Sequence, residues 1–119
     1  NRDAGESLAM ILDVLGADVR VAHDGVAALG IMDTFEPSVV ILDIGMPGMD
    51  GYEVARRIRS GFPGRNVCIV ALSGWGQEED RRRARDSGFD HHLIKPVEIA
   101  TLQALLGSLE PGHPVVHAS

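Results

Sequence analysis

Two apolar runs constrain this chain more than any other feature. Ser38-Val39-Val40-Ile41-Leu42 ends on Asp43, a strand expected over 38–43, and leads into Ile44-Gly45-Met46-Pro47-Gly48-Met49-Asp50-Gly51. Val67-Cys68-Ile69-Val70-Ala71-Leu72 ends on Ser73-Gly74-Trp75-Gly76. Unbroken apolar runs of this length, stopped by Gly or Pro, predict strands buried on both faces, as in a parallel sheet covered by helices. A carboxylate at the end of such a strand cannot be buried alone, because desolvation costs too much. Asp43 must therefore be exposed, paired or used in chemistry. The carboxyl ends of parallel strands are also where open α/β sheets bind ligands.

The rest of the chain alternates helix and strand signals around these two runs. Asp3-Ala4-Gly5-Glu6 has the form of a capping box. Leu8, Ile11, Leu12 and Leu15 follow at helical spacing, and Gly16 stops the helix. Val19 and Val21 alternate with polar neighbours in a short strand over 18–23. Asp24 caps a second helix reaching about Thr34, with Leu29 and Met32 facing the core. Asp50 caps a third helix, with Val54 and Ile58 inside and Arg56, Arg57 and Arg59 outside. Residues 77–87 predict a polar helix in which Glu79 and Arg83 are spaced to pair. Phe89 to Ile94 predicts a strand ending at Lys95-Pro96. Leu102, Leu105, Leu106 and Leu109 form one apolar stripe on a last helix, more readily core than a dimer seam. Glu110 to Ser119 is expected to be a flexible tail. Alternation of this kind predicts an α/β fold with a doubly wound parallel sheet.

Composition narrows the function classes. Across 119 residues there are 11 Lys and Arg against 17 Asp and Glu, a formal charge of -6. Direct nucleic-acid binding normally needs a basic face, so it is not expected. The run Arg81-Arg82-Arg83 with Arg85 is a local solvated helix face. The single cysteine, Cys68, is expected as a buried core thiol, and a chain without disulfides fits a cytoplasmic setting. No apolar stretch approaches membrane-spanning length, so no membrane contact is expected. His91, His113 and His117 show no metal-ligand spacing.

Three expected strand tips carry Asp43, Ser73 and Lys95. In a parallel sheet these tips lie on one edge. A carboxylate, a hydroxyl and an ammonium together suit a phosphoryl group: the first as nucleophile, the second as donor, the third as point charge. A divalent metal would normally join them, because phosphoryl transfer to a carboxylate brings negative charges together.

The blocks Ile41 to Gly51, Ala71-Leu72-Ser73-Gly74 and Lys95-Pro96, at this spacing, resemble the receiver domain of two-component response regulators, from Asn1 to about Leu109. The resemblance implies a flavodoxin-like sheet of order 2-1-3-4-5. It implies that Asp43 accepts a phosphoryl group from a histidine kinase or a histidine phosphotransfer protein. It makes Ser73 and Lys95 catalytic partners and the Lys95–Pro96 bond cis. Ser73 and His92 would be switch residues, and the Gly45 carbonyl and Asp43 would be ligands of Mg2+. The downstream protein partner would dock on the family's fourth helix, fifth strand and fifth helix, and a dimer is possible. Gly76 to Asp80 and Gly88 to His92 resemble receivers attached to hybrid sensor histidine kinases, whose C-terminal receiver this chain would then be; a stand-alone receiver is the other reading.

Departures from the family pattern matter equally. The family begins with an apolar strand ending in two acidic residues that help bind magnesium, and here neither is present. The expectation is therefore an N-terminally incomplete receiver over 1–109, lacking the central strand, with the remaining acidic ligands upstream of Asn1 and weak or absent Mg2+ binding. Were 119 residues all there is, the metal site would be crippled and some rearrangement, such as a strand exchange between chains, would be needed. Trp75 either screens the site from water or covers apolar surface.

The expected function is a phosphoacceptor signalling domain, enzymatic only in its own phosphorylation and dephosphorylation. The alternative is a phosphorylation-independent interaction module on a receiver scaffold. An aspartate-nucleophile hydrolase is disfavoured because Gly45 stands where a second Asp is required. A flavin protein is disfavoured because no Ser/Thr/Gly-rich phosphate loop is present.

Overall fold

The structure is a computed structural model, which describes residues 2–44, 48–74, 78–95, 97–106 and 114–118. Side chains of residues 2–7 and 78–80 lie outside that description. Ten elements follow one another: α1 Arg2–Val14, β1 Asp18–Ala22, α2 Gly25–Thr34, β2 Val39–Asp43, α3 Gly51–Gly61, β3 Cys68–Ser73, α4 Glu78–Asp86, β4 His91–Ile94, α5 Ile99–Leu106 and β5 Pro114–Ala118. All strand pairings are parallel, and the sheet order is β1-β5-β2-β3-β4.

The expected α/β class holds, and the order needs a correction. The expected sheet had a hole in its centre, between β1 and β2. Pro114–Ala118, expected as part of a flexible tail, occupies that position. Val115 pairs with Val19 on one side and Val39 on the other, and Val116 pairs with Arg20 and Val40. Val115, Val116 and Ala118 are fully buried and His117 nearly so. The physical reason is the exposure that an empty centre would create. Two unpaired strand edges and the apolar surface between them recruit an extended apolar segment. Pro114 is tolerated because it is the first residue of its strand, where the missing N–H matters least. Its carbonyl still accepts from the Ser38 N–H at 2.8 Å.

Each face of the sheet buries its own core. Met32, Val40, Leu42, Val54, Ile58, Ile69 and Val116 fill the layer under α2, α3 and α4. Leu8, Leu12, Ile41, Val70, Leu102, Leu106 and Val115 fill the layer under α1 and α5. Leu102 and Leu106 are thus core residues, as the single stripe suggested, while Leu109 lies outside the described residues. Helix α1 already begins at Arg2, so Asp3 lies inside it rather than at its cap. Strand β4 begins at His91, two residues later than expected.

The other expected caps form. Asp24 Oδ1 accepts from the Ala27 N–H at 2.7 Å, and Asp50 Oδ1 from the Glu53 N–H at 2.9 Å. Each satisfies a donor that the first helical turn leaves open.

Candidate functional site

Asp43, Ser73 and Lys95 end or follow β2, β3 and β4, so parallel pairing carries all three to one edge. The register sets Asp43 beside Leu72 and Ser73 beside Ile94. The Lys95 N–H donates to the Ser73 carbonyl at 2.8 Å, tying the tip of β4 to that of β3. The Lys95 ammonium donates to Asp43 Oδ2 in an ion pair. The Asp43 side chain is 16% exposed and that of Lys95 41%, so the carboxylate is sheltered but reachable. Ser73 is nearly buried, and its hydroxyl lies 2.7 Å from His92 Nε2. The four residues therefore make two linked pairs: Asp43 with Lys95, and Ser73 with His92.

The start of α3 is set tightly against Asp43. The Gly51 N–H donates to the Ile44 carbonyl at 3.3 Å. A Cβ on Gly51 would lie 2.9 Å from Ile44 Cα and 3.1 Å from the Asp43 carbonyl oxygen. Only glycine permits that approach. Gly51 is a site-shaping residue whose signal was present in the sequence, as the glycine directly after a helix cap.

Arg59, expected outside, is a correction. Its side chain is 34% exposed, and its guanidinium donates to the carbonyls of Val67 and Gly88 and to Asp90 Oδ2. These bonds lie at the amino ends of β3 and β4, away from the Asp43 edge. Cys68 faces the same end and is half-buried; burial, reinforced by the Asp90 charge, pushes its thiol pKa up.

The expected ligand Gly45, the bond to Pro96, Trp75, His113 and the Glu79 side chain lie outside the described residues. Among those described, no group of three or more His, Cys, Asp or Glu could hold a metal ion. Magnesium wants several oxygen ligands in near-octahedral geometry. Next to β2 the central strand presents Val115, Val116, His117 and Ala118, none of them a carboxylate. The described residues do not fit the ion.

Comparison with known proteins agrees with this architecture. A family profile described as response regulator receiver domain matches residues 1–107. The response regulator MprA of Mycobacterium avium is 36% identical over 109 residues, covering 92% of this chain and 47% of that protein. The chain thus spans about half the length of this relative. An uncharacterised 14.6 kDa protein of Leptolyngbya boryana is 36% identical over 96 residues, covering 81% of this chain and 73% of that protein. Among solved structures, the receiver domain of the sensor histidine kinase PA1611 from Pseudomonas aeruginosa superposes with a TM-score of 0.81 at 30% identity. It covers 91% of this chain and 88% of its own, and it holds a magnesium ion in its active-site cleft. Vibrio cholerae CheY4 superposes with a TM-score of 0.84 at 24% identity over 92% of each chain, a likeness of fold.

Proposed function

This chain belongs to the response regulator receiver domain family, and we propose that it is a phosphoacceptor domain whose acceptor is Asp43. One observation carries the reading: the Asp43 carboxylate meets the Lys95 ammonium at the edge where Ser73 also ends its strand. An Asp43 carboxylate oxygen attacks phosphorus of a phosphohistidine on a histidine kinase or histidine phosphotransfer protein. A P–O bond forms, the P–N bond breaks, and the imidazole leaves with the electron pair of that bond. Lys95 offsets the charge gathered on the phosphoryl oxygens, which is where a fixed cation helps most. Ser73 donates to one of those oxygens by turning away from His92, and that exchange of hydrogen bonds is the switch. The responding surface is α4, β4 and α5, where Ile94 and Ile99 are exposed. A domain of this kind shifts a pre-existing equilibrium and needs differential contacts in its two states.

The poor fit to a metal ion favours a second reading, an interaction module on the receiver scaffold that works without phosphorylation. The experiment separating them is intact-mass analysis after long incubation with acetyl phosphate and Mg2+. The proposal expects one added phosphoryl group, mapped to Asp43 and absent from Asp43→Asn. An adduct that persists in Asp43→Asn overturns it.

A further inference from the structure

The central strand is the part of this fold that the phosphoacceptor reading does not use. We infer that β5 withholds a hard-cation site from Asp43, so that the tip of the central strand governs how readily Asp43 accepts a phosphoryl group. Asp43 stands between two neighbouring strands. On one side β3 offers Leu72 and Ser73. On the other side β5 pairs His117 with Ile41 and Ala118 with Leu42, one step before Asp43. Ala118 is fully buried and contributes a methyl group to the core under α2 and α3; His117 is 1% exposed. Neither position brings an anionic oxygen to the edge.

The charge balance points the same way. Asp43 is already neutralised by Lys95. Among the described residues a dication arriving there meets the Asp43 carboxylate paired with the Lys95 ammonium, which leaves little net charge to hold it. Hard cations are held by oxygen ligands and carboxylate charge. A second carboxylate on the adjacent strand would restore a net negative site, and Ala118 is the described β5 position nearest Asp43 in register. The strand that completes the sheet is therefore also what keeps the site short of charge. The metal part of this inference stands by itself; its kinetic part rests on Asp43 being the acceptor.

The test uses the full chain, its Asp43→Asn variant and an Ala118→Asp variant, each titrated with magnesium chloride by calorimetry and by thermal melting. The expected result is that wild type and Asp43→Asn give the same weak, unsaturated titration. Ala118→Asp binds Mg2+ at least about tenfold more tightly than wild type, and only its melting temperature rises with Mg2+. With acetyl phosphate, its Asp43 adduct then forms faster by a similar factor. Tighter Mg2+ binding by Ala118→Asp without any Asp43 adduct supports the withheld cation site and removes the phosphoacceptor reading. Saturable Mg2+ binding by wild type that disappears in Asp43→Asn overturns the inference, whether or not Ala118→Asp folds.

Discussion

The two ends of the sheet each hold a cation against a carboxylate, and they are built differently. At the amino end Arg59 donates to the Gly88 carbonyl at 2.9 and 3.0 Å, to the Val67 carbonyl at 3.0 Å and to Asp90 at 2.7 Å. Asp90 in turn accepts from the Ile69 N–H at 2.8 Å. That network ties α3 to the start of β3 and to the turn before β4 through backbone groups. Gly88 completes it with φ of +102° and so little room that a Cβ would lie 2.8 Å from Arg59 Cγ. At the carboxyl end Lys95 meets Asp43 side chain to side chain. A planar guanidinium with several fixed donors suits a structural junction, and an ammonium on a flexible stem suits a group whose partner must change. The lesson is that the role of an ion pair follows from the other groups its members hold.

That contrast breaks most visibly at the amino end. Arg59→Ala takes the guanidinium away from two carbonyls and from Asp90, which keeps the Ile69 N–H, and is expected to cost about 2–3 kcal/mol in urea unfolding. Phosphoryl acceptance at Asp43 should be untouched while the protein is folded. A loss below about 0.5 kcal/mol would reduce the junction to a surface contact. At the carboxyl end Gly51→Ala forces backbone apart beside Asp43, with an expected cost of about 1–3 kcal/mol. Unlike Arg59→Ala, it should also slow adduct formation, since Asp43 itself must move.

Lys95→Met sharpens the comparison from the other direction. The pair is partly exposed, so stability should change by less than about 1 kcal/mol. Adduct formation should nevertheless fall at least about tenfold, because the fixed cation facing the phosphoryl oxygens is gone. A variant that is as reactive as wild type would assign Lys95 to structure. The smallest expected effect is at Cys68. Burial and Asp90 disfavour its thiolate, so iodoacetamide should react more slowly than with free cysteine at equal pH. The rise of its rate should also lie at higher pH. Arg59 opposes that shift, so Arg59→Ala should slow the reaction further in the folded protein.

Particular residues mark how far the sequence could be read. Asp24 and Asp50 were legible as caps because capping is a contact across three residues. Asp43, Ser73 and Lys95 were legible as neighbours at one sheet edge because each closes a strand signal, and parallel strands put their ends together. Arg59 was not legible: its position on α3 matches that of its solvent-facing neighbours, and its partners lie 8 to 31 residues away. The central strand was hidden for a similar reason. Val115 and Val116 are two apolar residues between two histidines, too few for a periodicity.

The amino-acid sequence by itself determined the class of fold and the edge where Asp43, Ser73 and Lys95 gather, since both follow from local patterning repeated along the chain. Tertiary structure alone decided what fills the middle of the sheet. That choice depends on two exposed strand edges, distant in the chain, that only a folded sheet brings face to face with Pro114–Ala118.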